Sequence, residues 1–250
     1  MRTPQDVALD PAQRQAADAG VKAMIPVAGE RPFLDYVLHA LADAGVRRVG
    51  LVIGPEHEQV RQYYRGIRTT RLALDFVIQG EPLGTAHAVW CAREWAGTEP
   101  FLVLNADNLY PVNVLARLVS ASGPAVPAFE ADSLDLPLAR LGAFGLIEAD
   151  AGGQLLRVIE KPGEAVVAAA GSKAPISMNV WRFDARIFEA CQDVPLSSRG
   201  ERELPQAVSL AVASGVRFEV FSARGPVLDL STRSDIAGVS RQLADVPVLL

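Results

Sequence analysis

Apolar residues recur at two different spacings in the first half of the chain, and the two spacings alternate. Between residues 32 and 45 they recur every three or four positions and stop at a glycine, which predicts a helix. Residues 49–54 are continuously apolar and β-branched, as in a strand buried on both faces. The same reasoning predicts helices at 56–65 and 84–96 and strands at 74–78 and 101–107. This alternation favours an α/β fold with a mainly parallel sheet.

The second half of the chain has a more mixed pattern. Two apolar segments flank the turn at residues 150–153 and predict a hairpin. Further predictions are strands at 176–183, 217–222 and 226–230 and helices at 184–192, 203–214 and 232–244. Near the start, residues 11–20 predict a short helix capped by Gly20. Because the chain has no internal repeat and no long linker, we expect residues 1–250 to form a single domain.

Composition excludes several classes of protein. The chain has 250 residues, of which 50% are hydrophobic and 21% charged, so wholesale disorder is excluded. A net charge of −5 argues against general nucleic-acid binding. No stretch approaches the ~20 apolar residues of a membrane span, and the N-terminus has no secretory apolar region. Cys91 and Cys191 do not form a disulfide or zinc pattern, so we expect a cytoplasmic protein without membrane or nucleic-acid partners.

Two aspartates follow apolar strands that are far apart in sequence. Asp107 ends the predicted strand 101–107, and Asp229 ends the predicted strand 226–230. In open α/β sheets, ligands bind beyond the carboxyl ends of the strands. Two carboxylates there could share Mg²⁺, which one or two carboxylates and substrate phosphates usually hold. The alternative is that Asp107 is a turn residue and Asp229 a helix cap, which are the commoner uses of aspartate.

A glycine-containing loop follows the predicted strand 74–78 and opens a helix. Its backbone N–H groups could face a ligand, and the amide of Gln79 could read the edge of a nucleobase. Taken alone, Gly84 and Thr85 are equally well explained as an ordinary helix start.

Two lysines lie beside these segments. Lys161 closes the strand before Pro162, and Lys22 precedes an apolar run. Each could pair with a phosphate, or each could be a solvated surface charge. The three histidines, at 39, 57 and 87, have no triad or metal-ligand spacing, so we interpret them as structural.

Together and in this order, these segments resemble sugar-1-phosphate nucleotidylyltransferases of the glucose-1-phosphate uridylyl- and thymidylyltransferase kind. The segment from Lys22 to Val27 resembles the family's P-K-x-x-x-P-V, and Gln79 to His87 resembles its Q-x-x-P-L-G-T-A-x-A loop. Later matches are Ala106-Asp107 for Gly-Asp, Phe144-Gly145 for Tyr-Gly, Glu160-Lys161-Pro162 for E-K-P, Asn179 for a sugar contact and Asp229 for the second magnesium aspartate.

The resemblance implies a Rossmann-like nucleotidyltransferase fold with a mixed, mainly parallel sheet flanked by helices. It implies a nucleotide-binding half at 1–110 and a sugar-phosphate-binding half at 111–250. The implied reaction joins UTP or dTTP to a sugar 1-phosphate and releases pyrophosphate. The implied roles are Mg²⁺ binding by Asp107 and Asp229, phosphate contacts by Lys22 and Lys161, nucleotide binding by Gln79, Pro82, Gly84 and Thr85, and sugar binding by Gly145, Glu160 and Asn179.

The chain also departs from the family pattern. The family opens with a buried strand and the loop A-A-G-x-G-T-R, which nothing here matches, whereas Met1-Arg2 would follow that arginine naturally. We therefore expect this chain to begin one strand late. The stretch from Arg2 to Gly20 is longer than the family's link, and Ala106 replaces a glycine. The alternative function is a non-catalytic sugar-nucleotide-binding regulatory protein. The sugar and the oligomeric state, a homo-oligomer included, stay open.

Overall fold

The computed structural model describes Gln13, residues 21–29 and residues 31–250. The predicted helix at 11–20 lies outside these residues except for Gln13, whose Nε2 donates to the Pro26 carbonyl at 2.9 Å. No helix within the described ranges combines the length and the apolar character needed to cross a membrane.

The described strands are two to six residues long. They are β1 Pro26–Val27, β2 Arg31–Pro32, β3 Arg48–Ile53, β4 Ala73–Ile78, β5 Phe101–Leu104, β6 Asn108–Leu109, β7 Ala125–Glu130, β8 Gly145–Ala149, β9 Leu155–Glu160, β10 Pro175–Ser177, β11 Val180–Phe183, β12 Glu219–Ala223 and β13 Leu228–Asp229.

The helices alternate with these strands. They are α1 Phe33–Asp43, α2 Glu58–Gly66, α3 Thr85–Cys91, α4 Arg93–Ala96, α5 Val112–Ser120, α6 Leu138–Leu141, α7 Glu164–Ala170, α8 Ile187–Asp193, α9 Leu204–Ala213 and α10 Asp235–Leu243. Two single-turn 3₁₀ helices span Lys22–Met24 and Ala131–Ser133.

The large sheet contains seven strands in the order β5-β11-β7-β10-β8-β9, and β12 pairs with β7. Smaller pairs are β3 with β4, β6 with β13, and β1 with β2. The expectation of an α/β fold with a mixed sheet is confirmed, but the described strands pair mainly antiparallel rather than mainly parallel. Within the described strands, parallel pairing is confined to β7 with β12 and β3 with β4, because the second half of the chain adds strands through reversals such as β8–β9.

Most predicted elements are present, with two breaks. The predicted helix 84–96 divides at Ala92 into α3 and α4, and the predicted strand 176–183 divides between Ser177 and Val180 into β10 and β11. The second break occurs where Asn179 takes a left-handed backbone conformation, with φ 56°. This bend lets β10 pair with β8 while β11 pairs with β5. The pattern gives no prediction for α5, β7, α6 or α7.

The sheet separates two hydrophobic cores. Along β5, Leu102 and Leu104 pack against the core beside α1, α5 and α10, whereas Phe101 and Val103 pack against the core beside α3, α8 and α9. This alternation is the period of two that a strand requires when both of its faces are covered. The first core draws residues from Ala23 to Leu243. The division into halves at residue 110 stays a prediction.

A buried carboxylate joins α1 to α2. Asp35 is fully buried, and its two oxygens accept hydrogen bonds from Tyr63 Oη at 3.0 Å and Tyr64 Oη at 2.9 Å. Arg31 Nη1 lies 3.5 Å from the same carboxylate. Burial raises the pKa of Asp35 above its ordinary 3.8, and the two tyrosines and Arg31 only partly oppose that effect.

This raised pKa predicts a pH dependence of stability. Because the folded state binds the proton more tightly than the unfolded state, the contribution of Asp35 is fully present below pH 3.8 and is lost as the pH rises through the raised pKa. The difference in free energy of unfolding between the wild type and Asp35→Asn should therefore fall from about pH 3 to about pH 7 in urea titrations.

Asp75 supplies a control of opposite sign. Hydrogen bonds from Trp95 and Arg48 lower its pKa, so the corresponding difference for Asp75→Asn should rise with pH. Equal slopes for the two variants would contradict the assignment of Asp35.

Candidate functional site

The structure brings Asp107 and Asp229 together although they are 122 positions apart in the printed sequence. After β5 ends at Leu104, the chain turns and enters β6, which pairs antiparallel with β13 so that Asn108 lies opposite Asp229. The Leu230 N–H donates to the Asp107 carbonyl at 2.9 Å. Burial raises the pKa of Asp107, and the negative charge of Asp229 raises it further. The two carboxylates are therefore close enough to repel each other.

A lysine partly offsets this repulsion. Lys22, in the 3₁₀ turn before β1, donates from Nζ to the Ser231 carbonyl at 2.7 Å. Its positive charge opposes the rise in the pKa of Asp107. A cation is thus held beside two carboxylates at the ends of β5 and β13, where a phosphate group could be met by both the lysine and a metal ion.

An arginine that the sequence did not single out secures Asp229. From α6, Arg140 Nη2 donates to Asp229 Oδ2 at 2.8 Å, and Nη1 donates to Asp235 Oδ1 at 2.6 Å. The side chain of Asp229 is only 2% exposed, and its other oxygen accepts from Ser231 Oγ. Burial disfavours ionisation of Asp235, but hydrogen bonds from Arg140 and Thr232 outweigh it and lower the pKa of Asp235.

These donors fit a magnesium ion completed by substrate. No group of three or more His, Cys, Asp or Glu side chains suited to a metal occurs within the described residues. Mg²⁺, however, commonly takes one or two carboxylates together with substrate phosphates and water. Among the described residues no side chain donates to the Asp107 carboxylate, whereas both oxygens of Asp229 have protein partners. Asp107 is therefore the freer of the two carboxylates.

The predicted nucleotide loop is held by main-chain bonds to a distant segment. Gln79 follows β4, and its Nε2 donates to the Gly84 carbonyl at 3.0 Å. The Arg202 N–H donates to the Leu83 carbonyl at 2.7 Å, and Ala86 N–H donates to the Arg202 carbonyl at 2.9 Å. The Thr85 hydroxyl accepts from Leu204 N–H at 2.9 Å, and Pro82 is exposed.

Gly84 is required in this loop for two reasons. Its φ of +99° lies in the region that favours glycine, and a Cβ atom there would lie 2.5 Å from the Arg202 carbonyl oxygen. The nucleotide loop and the chain before α9 therefore approach more closely than any side chain permits.

The predicted sugar-side residues lie at the open end of the β8–β9 hairpin. Gly145 pairs with Glu160, and a Cβ on Gly145 would lie 2.6 Å from Val158 Cγ1. Lys161 follows with a left-handed φ of 47°, uncommon for a residue with a side chain. Burial and then the Glu203 carboxylate raise the pKa of Glu160, while Lys161 and Arg199 oppose the rise.

Hydrogen bonds join residues next to the sugar-side group to both other groups. The Tyr110 hydroxyl, just after β6, donates to the Met178 carbonyl at 2.6 Å, next to Asn179. The bond from Leu204 N–H to the Thr85 hydroxyl joins the start of α9, beside Glu203, to the nucleotide loop. The structure thus places the predicted residues in three connected groups: Lys22, Asp107 and Asp229; Gln79, Pro82, Gly84 and Thr85; and Gly145, Glu160, Lys161 and Asn179.

Sequence reasoning missed five residues near these groups: His87, Arg140, Arg199, Glu203 and Ser231. Some of them contact residues that are far away in sequence. The others contact loops whose conformation the sequence pattern does not define. The one available signal was at His87, which falls within the segment that resembles the nucleotide loop but was interpreted as structural.

Comparison with known proteins identifies the family and related folds. The nucleotidyl transferase family model matches residues 17–245. A low-salt glycan biosynthesis nucleotidyltransferase from Haloferax volcanii is 27% identical over 225 residues, which cover 89% of this chain and 60% of that protein. A glucose-1-phosphate thymidylyltransferase from Streptomyces griseus is 30% identical over 231 residues, which cover 91% of this chain and 61% of that protein. The chain thus spans about three-fifths of the length of each of these relatives.

A solved structure shares the fold. The crystal structure of a UDP-glucose pyrophosphorylase in complex with UDP-glucose superposes with a TM-score of 0.70 at 18% identity. The superposition covers 88% of this chain and 89% of that one.

The bridge made by Arg140 predicts a large effect on stability. Arg140→Met keeps much of the side-chain volume but leaves Asp229 and Asp235 without their cation. We expect a loss of about 2–4 kcal/mol in urea unfolding, below the full cost for a completely buried pair because the Arg140 side chain is 24% exposed.

Arg157 is the matched control for that variant, since it pairs with Glu148 on an exposed hairpin surface. Arg157→Met should cost no more than about 1 kcal/mol. Equal losses for the two methionine variants would mean that Arg140 forms an ordinary surface pair.

The close approach at Gly84 also predicts a loss of stability. Gly84→Ala imposes both an unfavourable backbone conformation and a main-chain clash, so unfolding in urea should show a loss of at least about 1–3 kcal/mol. Gly80→Ala is the control, because Gly80 has no positive φ and open space around its Cα. A Gly84 variant as stable as the Gly80 variant would show that the loop can move away from Arg202.

Proposed function

The chain belongs to the nucleotidyl transferase family, and we propose that it transfers a nucleoside monophosphate from UTP or dTTP to a sugar 1-phosphate, releasing pyrophosphate. The observation that carries this proposal is the convergence of Asp107 and Asp229 beside Lys22, linked by the Tyr110 hydroxyl to the Met178 carbonyl next to Asn179. The comparisons lend no support to the alternative of a non-catalytic regulatory protein.

The proposed reaction needs no protein nucleophile. A sugar 1-phosphate is already ionised at neutral pH, so its own oxygen attacks the α-phosphorus of the nucleotide and pyrophosphate leaves. What the protein must supply is alignment of the two substrates and neutralisation of their charge. Three groups of residues suit this task, because each can hold one part of the reacting pair.

The carboxylate group serves the reacting phosphates. Asp107 and Asp229 would hold Mg²⁺, which when bound neutralises phosphate charge and orients the α-phosphate. Lys22, fixed by its bond to the Ser231 carbonyl, provides a second positive charge at this position. Arg140 donates a hydrogen bond to Asp229 and so orients that carboxylate.

The loop at residues 79–86 serves the base. The oxygen of the Gln79 amide can accept a hydrogen bond from the ring N–H of uracil or thymine. Gly84 and Thr85 are held against the chain before α9, so they form a rigid floor for a flat ring, with Pro82 at the exposed edge. These contacts favour UTP or dTTP over purine nucleotides.

The hairpin end serves the sugar phosphate. Lys161 provides the cation for the incoming phosphate, and Glu160, Gly145 and Asn179 provide groups for the sugar hydroxyls. Arg199 and Glu203 extend this group, since both influence the charge of Glu160. The free thiols Cys91 and Cys191 fit a reducing compartment, so we place the reaction in the cytoplasm.

The test is pyrophosphate release from UTP, dTTP, GTP and ATP, each with a panel of sugar 1-phosphates and Mg²⁺. We expect turnover with UTP or dTTP, and we expect Asp107→Asn to lower kcat/KM on the order of a hundredfold or more without loss of the fold. Asp184→Asn is the control, because Asp184 pairs with Arg186 after β11, at the other end of that strand. Inactivity with every pyrimidine nucleotide, or full activity in Asp107→Asn, would overturn the proposal, and a clear preference for a purine nucleotide would contradict the role of Gln79.

A further inference from the structure

The orientation of the Gln79 amide is determined by its two neighbours. Its nitrogen lies 3.0 Å from the Gly84 carbonyl oxygen and 3.1 Å from His87 Nδ1. A carbonyl oxygen can only accept a hydrogen bond, so the amide nitrogen, and not the amide oxygen, must face Gly84. The second N–H of the same nitrogen then points to His87, whose Nδ1 must accept it. The ring proton of neutral His87 is therefore on Nε2.

His87 is itself held in place. It lies in α3, with its ring stacked on Trp90 at a centroid distance of 5.9 Å and an interplanar angle of 20°. Its Nε2 lies 3.8 Å from Cys91 Sγ. The start of α3 is fixed by the main-chain bond from Ala86 to Arg202. The ring therefore offers a fixed acceptor to Gln79.

With both N–H groups of Gln79 occupied, Oε1 is the part of the amide left for a ligand. Building on the proposed function, we propose that His87 is a positioning residue that presents Gln79 Oε1 to the base, and that this selects a pyrimidine with an N–H at ring position 3. Uracil and thymine carry that N–H. Cytosine has an acceptor at the same position, so it would face Oε1 acceptor to acceptor.

UTP and CTP form the matched pair for a test, because they differ only at the base edge in question. Variants at His87 distinguish the role of its Nδ1 from that of its Nε2. In His87→Asn the side-chain oxygen can occupy the place of Nδ1 and accept from Gln79, whereas in His87→Gln the amide reaches the place of Nε2. His87→Leu removes both nitrogens. Cys91→Ala removes the sulfur beside the ring and leaves the hydrogen bond between Gln79 and His87.

The measurement is the dissociation constant of each nucleotide by calorimetry, with kcat and KM for UTP as a second readout. The UTP-over-CTP preference should fall about fivefold to tenfold in His87→Leu and His87→Gln, the equivalent of one neutral hydrogen bond, and should be retained in His87→Asn and Cys91→Ala. KM for UTP should rise in the first two variants while kcat changes little. Thermal midpoints identify any variant that fails to fold, and the Asn and Gln variants alone suffice for the comparison.

Two failures can be told apart. If the wild type binds UTP but the preference is the same in every variant, or if His87→Asn is as impaired as His87→Gln, the role of His87 is wrong and the proposed function stands. If the wild type binds neither UTP nor dTTP, the proposed function fails and this inference fails with it.

Discussion

Two negative charges buried close together are the constraint on which the rest of the site depends. The short pairing of β6 with β13 brings Asp107 and Asp229 together, the side chain of Asp229 is buried, and burial raises the pKa of Asp107. The fold meets this cost with cations from two other segments, Lys22 before β1 and Arg140 in α6. Four segments that are distant in sequence therefore meet at these carboxylates. Displacing either Lys22 or Arg140 would leave the carboxylates with less compensating positive charge.

The sheet explains how the remaining groups reach that point. Strand β5 runs toward Asp107, while β11 runs antiparallel to it and begins beside Asn179. The left-handed turn at Asn179 bends the strand 175–183, so that β10 continues alongside β8 and Gly145. The Tyr110 hydroxyl then joins the two ends through the Met178 carbonyl. One kink therefore aligns the carboxylate loop with the sugar-side hairpin.

The sequence predicted what depends on local pattern. Apolar runs located β3 and β5, and the polar residues after the runs pointed to Asp107 and Asp229. The prediction for β5 extended to residue 107, whereas the strand ends at Leu104, because residues 105–107 form the turn that enters β6. The pattern did not indicate β7, a central strand, since Pro127 interrupts its apolar run and a proline argues against such a position. Arg140 was beyond reach, because it acts through contacts that only the folded chain creates, whereas His87 lay within the loop-like segment but its contact to Gln79 was not apparent from the pattern.

The contact between Gly84 and Arg202 has a consequence for how this site can diverge. The bonds that join the two segments run between main-chain atoms, apart from the Thr85 hydroxyl, so they depend on the path of the chain more than on residue type. These main-chain bonds therefore require a glycine at 84 but no particular side chain at residues 202–204, although Leu204 is buried in the second core and Glu203 acts on Glu160. The contact therefore excludes substitutions at Gly84 but tolerates them at Arg202. Selection for this contact would then act at position 84, whereas the residue at position 202 could vary without loss of the contact.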